Sequence, residues 1–319
     1  MKYKNTWLVF FLIFNFILLN AHAEYPKGTI KAIVPFAPGG SSDALARLYA
    51  NKLASLLDRT VIIENRAGAS GNIGISALAK SKPDGLTIMF SSSAVTWNPA
   101  LFKKLDFDPN KDVIPVARLA ESQQVINVNS LKFPNQNLKE VIEIAKDKPG
   151  KINLAASGVG LVESFFAVKN SIDVEIIRYK SSADAMRALL TGECDIFMGS
   201  ALNVVPLLST GKFRSIAVTG SSRMNVLPNV PTTAEAGFPD IQFSYLFGAF
   251  APGGTAIEII KELNMLLNKI TNDSLVLSEM TKLGWTPRTS TAEQFAAEYK
   301  AEILEWKEVA RRAKIETID

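Results

Sequence analysis

The hydrophobic pattern of the chain alternates between short apolar runs and segments with helical spacing. Apolar residues dominate positions 30–36, and positions 42–57 place leucines near one face of a helix. A strand over 61–64, a short helix and a strand ending in serines follow. This order predicts βαβαβ and therefore a parallel sheet, whose ligands bind at the carboxyl ends of the strands.

A second unit of the same order occupies the middle of the chain, where QVINVNS, NLAAS, VEIIRY and CDIFMGS read as strands between helical patterns. The C-terminal part is helical, with one helix predicted over 255–270. Ser290-Thr291-Ala292-Glu293 reads as a capping box that opens a long amphipathic helix. An apolar helix face needs a sheet to cover, so we expect this helix to pack on the first domain.

These patterns predict an α/β fold of two domains, each a βαβ-built sheet flanked by helices, with a cleft between them. A chain of 319 residues also exceeds what one core usually holds. The chain is expected to cross between the domains near 120–128 and 243–250. The predicted domains are 24–125 plus 247–319 for the first and 126–246 for the second.

Residues 1–23 have the features of a secretory signal peptide. Lys2 and Lys4 precede an apolar run over 7–19, and Ala21 and Ala23 are the small residues of a cleavage site. We expect a soluble, exported protein that begins at position 24; the alternative is an uncleaved N-terminal anchor.

Composition excludes several classes of chemistry. His22 is the only histidine and falls in the signal peptide, so the mature chain has no Ser-His-Asp triad, Cys-His pair or histidine-ligated zinc. Cys194 has no partner cysteine and is expected to be a small core residue. The 35 basic and 31 acidic side chains are dispersed, which argues against nucleic acid as a partner. No cofactor or metal is predicted.

The first candidate site is the stretch IVPFAPGGSSDALAR. Pro38 ends the strand, Gly39 and Gly40 allow close approach of the backbone, and a helix follows. The polar residues that could cap this helix are Ser41, Ser42 and Asp43. Free N–H groups and the helix dipole make such a turn an anion site, although a plain βα turn is the alternative. The spacing matches neither a P-loop, nor the dinucleotide fingerprint, nor a nucleophile elbow.

The second unit contains a similar turn in NLAASGVGLVES. Two such turns, one from each domain, would face each other across the cleft, and each could hold one oxygen of a carboxylate. The candidate ligand-binding residues of this turn are Ser157, Val159, Gly160 and Leu161.

Other strand ends supply further candidates. Those chosen as ligand-binding residues are Ser92, Ser93, Thr96, Tyr179, Asp195 and Ser200. Lys180 could pair with a carboxylate, but a solvated lysine is the alternative. Trp97 could wall the pocket or belong to the core.

The chain resembles the substrate-binding receptors of the tripartite tricarboxylate transporter family, the Bug-type solute receptors. The motifs behind this resemblance extend from IVPFAPGGSSDALAR and VIIENRAGASGNIG through KPGKINLAASGVG and LPNVPTTAEAGFP to EWKEVARRAKI. The resemblance implies a type II periplasmic binding fold that closes on a small carboxylate and delivers it to membrane permease subunits, acting as a monomer. It carries the family's ligand contacts onto Gly39, Gly40, Ser41, Asp43, Ser157 and Gly160.

Three positions depart from the family pattern. Leu161 stands where the family usually has serine, Glu163 where it often has histidine, and Ser181 where its YKG motif has glycine. These changes are expected to remove a donor and add a negative charge near the second turn. Two other functions remain open: a sensor that presents its ligand to a membrane histidine kinase, and a periplasmic enzyme in which Ser41 or Asp43 reacts.

Overall fold

The computed structural model describes residues 25–157, 159–179 and 181–318. The first part of the chain forms β1 (Ile30–Val34), α1 (Ser41–Leu57), β2 (Val61–Asn65), α2 (Asn72–Ala79), β3 (Thr87–Ser92), α3 (Ala94–Leu101) and β4 (Val113–Gln123). The middle part forms β5 (Val125–Asn129), α4 (Leu138–Asp147), β6 (Asn153–Ser157), α5 (Leu161–Asn170), β7 (Glu175–Tyr179), α6 (Ser182–Thr191), β8 (Ile196–Gly199), α7 (Ala201–Val204) and β9 (Phe213–Val218). The last part forms β10 (Ser244–Pro252), α8 (Ile257–Thr271), α9 (Ser274–Lys282), β11 (Thr286–Pro287) and α10 (Ala292–Arg312).

Two mixed sheets organise these elements. The first has six strands in the order β11-β4-β10-β3-β1-β2, in which β1 runs parallel to β2 and β3 while β10 is antiparallel to β3 and β4. The second has five strands in the order β7-β6-β8-β5-β9, in which β6 runs parallel to β7 and β8. The predicted α/β class with two βαβ-built sheets is confirmed. We call each sheet with its helices a lobe.

The chain passes between the lobes twice. Strand β4 belongs to the first sheet and β5 to the second, so Gln124 joins them; the return lies between β9 and β10. Gln124 is anchored to the second crossing because its N–H donates to Thr219 Oγ1 at 3.0 Å and its carbonyl accepts from the Thr219 N–H at 2.9 Å. Two adjacent connections of this kind can bend together. The domain limits themselves stay a prediction.

Helix α10 differs from the prediction at its start and in its packing. Its capping box uses Thr291 and Gln294, one residue later than expected. Phe295 and Tyr299 pack on the first sheet, as predicted, but Trp306 belongs to a core cluster that it shares with Phe165 of α5 in the second lobe. The helix therefore joins both lobes, because its apolar face is longer than one sheet can cover.

No helix among residues 25–157, 159–179 and 181–318 combines the length and the apolar character that a membrane span requires. The predicted signal peptide lies outside these described residues.

Candidate functional site

A cavity of about 370 Å³ lies between the two lobes, at the carboxyl ends of strands from both sheets. We call it the cleft cavity. It is lined by Phe36, Gly40, Ser41, Ser42, Ser92, Ser122, Gln124, Ser182, Ser200, Leu202, Asn203, Tyr245, Phe247, Leu283 and Trp285. Its position between lobes is a usual place for small-ligand sites.

The turn between β1 and α1 presents backbone donors to this cavity. Gly39 adopts a left-handed φ of 85°, which reverses the chain after the strand. Gly40 is extended, and a Cβ there would be in ordinary contact with the Ala37 carbonyl oxygen, 3.7 Å away. Gly40 is the N-cap of α1 and no side chain caps the helix. Because the first N–H groups of a helix have no intrahelical acceptor, those of Ser41 and Ser42 are available to a ligand.

Asp43 holds this turn in place and is not one of the lining residues of the cavity. Its carboxylate accepts from the Gly39 N–H and from Asn65 Nδ2, both at 2.9 Å, and from two nitrogens of Arg47. Asn65 also donates to the carbonyl of Phe36, which ties β2 to the same turn. The Arg47 hydrogen bond, with those of Gly39 and Asn65, lowers the pKa of Asp43 to about 2 against the opposing effect of burial. All four of these hydrogen bonds go to the protein, so the structure gives Asp43 a positioning role in the turn. The direct ligand contact expected from the sequence stays a prediction.

From the second lobe, the first residue of α6 and the residues around α7 line the cleft cavity. Ser182 opens α6, whose N-cap is Ser181, and Ser200 precedes α7, which places Leu202 and Asn203 beside it. These residues follow β7 and β8, whose carboxyl ends share one edge of the second sheet. Neutral donors therefore reach the cavity from both lobes.

Four of the residues predicted from the sequence line the cavity: Gly40, Ser41, Ser92 and Ser200. Pro38 and Gly39 are exposed in the same turn but do not line it. Ser93 and Thr96 lie just below, where Ser93 Oγ accepts from the Leu246 N–H and Thr96 donates to the carbonyl of Ser93. Both residues are fully buried, and their hydroxyls hold β3, α3 and β10 together.

The predicted second turn does not line the cavity in this structure. Ser157 is exposed at the end of β6, while Val159 and Leu161 pack into the apolar cluster around Phe165. Gly160 has a left-handed φ of 78°, and a Cβ there would approach Ile176 to 2.9 Å, so glycine is needed for packing. Gly158 and Lys180 lie outside the described residues. The helix that meets the cavity opposite α1 is α6 instead of α5.

Tyr179 and Asp195 are both engaged elsewhere. The Tyr179 hydroxyl donates to Glu193 at 2.7 Å, and burial raises the pKa of this phenol. Asp195 precedes β8 and so lies at the sheet edge opposite the cavity, where it accepts from the Asn153 N–H at 2.7 Å and pairs with Lys132. A residue flanking a strand can lie at either edge of a sheet, and Asp195 lies at the edge away from the cavity.

The protonation state of Glu163 differs from the negative charge expected from the sequence. It lies in the first turn of α5, and only 5% of the residue is exposed. Burial raises its pKa to about 8. Near neutral pH the carboxyl is therefore mostly protonated, and the expected negative charge beside the second turn is largely absent.

Several lining residues were missed because they approach the site only in three dimensions. Leu283 and Trp285 come from the loop after α9, and Tyr245 and Phe247 from β10, far along the chain from the glycine turn. No local pattern connects them with it. Ser182 carried a usable signal, since it opens a helix directly after a strand end.

A larger groove of about 810 Å³ lies between α3 and the C-terminal residues, with Lys103, Lys307 and Lys314 along it. It is remote from the carboxyl ends of the strands. Within the described residues no group of three or more histidine, cysteine, aspartate or glutamate side chains is placed to hold a metal ion. The cleft cavity remains the candidate site.

Comparison with known proteins agrees with this geometry. The family model described as "Tripartite tricarboxylate transporter family receptor" matches residues 45–314. Protein BugT of Bordetella pertussis is 33% identical over 293 residues, which covers 90% of each chain.

Two solved structures of similar chains contain carboxylates. An R. palustris protein with adipate is 29% identical with a TM-score of 0.75, covering 92% of this chain and 100% of its own. MatC from Rhodopseudomonas palustris, with bound malate, is 30% identical with a TM-score of 0.71, covering 89% and 99%. Both the sequence motifs and the fold therefore match one family.

Proposed function

This chain belongs to the tripartite tricarboxylate transporter receptor family, and from that membership we propose that it captures a small organic carboxylate in the cleft cavity and delivers it to a tripartite membrane permease. Proteins of this family are periplasmic solute receptors and not enzymes, so this chain is a periplasmic solute-binding protein. The ligand class, the delivery and the closing motion are the proposed parts.

The observation that carries the proposal is the uncapped N terminus of α1, which lines a cavity between lobes. A hydrogen bond to a charged group contributes about 1.5–3 kcal/mol, and a sheltered helix N terminus up to about 2 kcal/mol. A few such terms, less the cost of ordering, reach the roughly −8 kcal/mol of micromolar binding. The adipate and malate held by the two solved relatives support a carboxylate as the ligand.

Closure of the lobes is supported by how they meet at the mouth of the cavity. A Cβ built on Gly284 of the first lobe would lie 3.3 Å from Ala201 Cβ of the second. Ligand contacts to both lobes would favour this closed arrangement over an open one. Ser41 and Ser200 are the proposed donors on the two sides.

The proposal is tested by calorimetry and thermal shift on the exported protein with a panel of mono-, di- and tricarboxylates. A Cβ at Gly40 would meet the protein only at the Ala37 carbonyl oxygen, at an ordinary 3.7 Å, so we expect Gly40→Val to fold. Its side chain would stand beside the uncapped N–H groups, so we expect ligand binding to be lost. Ser41→Ala should weaken binding about tenfold or more. Ser55→Ala, at the far end of the same helix, is the matched control and should bind normally.

Unchanged affinity in Gly40→Val would contradict the site, and no binding by any carboxylate would contradict the function. Product formation from a bound carboxylate would contradict a purely binding role.

Mass spectrometry of the exported protein should show a first residue at position 24, and light scattering should show a monomer.

A further inference from the structure

The cleft cavity has an apolar side as well as a polar one. The polar side is formed by the N terminus of α1 and the serines described above. The apolar side is formed by Phe36, Phe247 and Trp285 from the first lobe and Leu202 from the second. The rings of Phe247 and Trp285 are 5.2 Å apart and both are almost fully buried, so this wall is rigid.

Leu202 is the part of this wall that the protein leaves uncovered. It is 48% exposed, although its neighbour Ala201 is buried and meets the first lobe at Gly284. A single exposed leucine is ordinary on a protein surface. This one, however, lines a ligand cavity together with Leu283 and Trp285 of the facing lobe, so a bound molecule is what would cover it.

Charge limits what can lie along this wall. Among the described residues that line the cavity there is no lysine, arginine, aspartate or glutamate. One carboxylate can be held by α1 and by hydroxyls from the opposite lobe. A second ionised group lying along the apolar wall would lose its hydration with no cation among these described lining residues to pair with it, which is costly.

The size of the cavity agrees with a ligand that has a substantial body. Its volume of about 370 Å³ falls within the range of roughly 300–1,000 Å³ typical of drug-sized ligands. A four-carbon diacid would leave much of it to water against aromatic and aliphatic surfaces.

We propose that this receptor selects a monocarboxylate with an apolar ring or branched chain, with the carboxylate at the N terminus of α1 and the body between Leu202 and the Phe247–Trp285 wall. This inference rests on the proposed function and specifies its ligand class. It separates the chain from a receptor built for small hydroxy-diacids such as malate.

Isothermal titration calorimetry tests the inference with benzoate, cyclohexanecarboxylate and hexanoate against malate, citrate and adipate. We expect at least one ring-bearing monocarboxylate to bind about tenfold or more tightly than malate and citrate. Adipate against hexanoate is the matched pair, since a second carboxylate is the main difference between them, and hexanoate should bind better.

Leu202→Asn should weaken the preferred ring-bearing ligand by about tenfold through loss of apolar contact. Leu304→Asn, at a leucine of α10 that is 68% exposed and outside the cavity, is the matched control and should bind normally. Because Leu202 is about half exposed, we expect the Leu202→Asn variant to fold normally. Circular dichroism of the variant checks this.

Tighter binding of malate, citrate or adipate in a Gly40-dependent manner would overturn the inference and leave the proposed function standing. Equal affinity of Leu202→Asn and the unchanged protein for the ring-bearing ligand would also overturn it. Failure of every carboxylate to bind would overturn both.

Discussion

Asp43 shows at the scale of one residue how a buried side chain can hold a backbone turn in place. It is 3% exposed and gathers donors from its own helix, from the turn and from β2. Removing it would leave the Gly39 N–H and the Asn65 amide without their partner. The turn that carries the uncapped N–H groups would then lose its fixed shape.

Asp43→Ala is expected to destabilise the protein by about 2 kcal/mol at pH 7, the order of a hydrogen bond to a charged group. The folded pKa of about 2 lies below the ordinary 3.8, so the stabilisation is present above about pH 4 and lost as pH falls toward 2. Urea unfolding between pH 7 and pH 2.5 measures the difference between the two proteins. A difference that stays constant over this range would contradict the assignment.

Glu163 has the opposite pH dependence because burial opposes its charge. Its folded pKa of about 8 lies above the ordinary 4.5, so its contribution to stability is full below about pH 4.5 and is lost as pH rises through 8. Burial raises the pKa of the neighbouring Tyr245, and the charge of ionised Glu163 acts in the same direction.

Glu163→Gln should therefore match the unchanged protein near pH 4.5 and be clearly more stable at pH 8.5. Thermal unfolding across this range tests it. Glu305→Gln, at a partly exposed ion pair of α10 with Lys169, is the control and should change the stability little. Parallel curves for Glu163→Gln and the unchanged protein would show that Glu163 is not held neutral.

The limits of sequence reasoning are clear at this scale. The glycine turn was predictable because a strand end, two glycines and a helix start are consecutive. Asp43 could not be distinguished from a ligand contact, since Asn65 and Arg47 reach it only through folding. Trp285 gave no signal because its place in the cavity depends entirely on tertiary packing.

At the scale of elements, α10 is held to the first sheet by one buried cation. Arg118 of β4 donates to Glu298 at 2.8 Å and to Glu302 at 3.1 Å, and its guanidinium lies 3.7 Å from Glu121. Burial raises the pKa of Glu302 although Arg118 opposes this shift. Removing the arginine would leave Glu302, the carboxylate whose charge burial opposes, without this counter-charge. Glu121 would keep Arg288 at 3.6 Å, and Glu298 is partly exposed to solvent.

Arg118→Met is expected to cost about 3–5 kcal/mol of unfolding free energy, as for a broken buried ion pair. Arg311→Met, which removes an exposed pair with Glu308 on the same helix, should cost far less unfolding free energy than Arg118→Met. Equilibrium unfolding in urea compares them. Equal losses would show that the Arg118 pairs contribute no more than a surface contact.

Element positions were largely predictable because apolar periodicity is local. The predicted helix over 42–57 is observed at Ser41–Leu57, and the one over 255–270 at Ile257–Thr271. The packing of α10 on both lobes was not predictable. An amphipathic pattern shows that one face of a helix packs against the protein, but it does not show whether one lobe or both lobes pack against that face.

At the scale of the whole molecule, the two lobes meet differently at the two ends of the cleft. Near α10 they share an aromatic cluster in which Trp306 lies 5.3 Å from Phe165 and 5.2 Å from Trp97, centroid to centroid. At the opposite end Ala201 and Gly284 make a light contact. Opening of the cleft should therefore separate the light contact first.

A disulfide in the double variant Ala201→Cys/Gly284→Cys should hold the cleft closed, because the Cβ separation of 3.3 Å is near the roughly 3.5–4.5 Å of disulfides. Small-angle scattering should show the same radius of gyration with and without ligand when oxidised. The reduced form should contract on binding. Each single variant is a control. The Gly284→Cys variant also measures the strain of placing a side chain at the positive φ of this residue. Contraction of the oxidised form would contradict closure at this contact.

The aromatic cluster at α10 also bears on how the polypeptide can be divided. Excising the middle segment at its two crossings would separate Phe165 from Trp306 and expose an apolar face of α5. We therefore expect that neither part folds independently, and that an isolated part is prone to self-association.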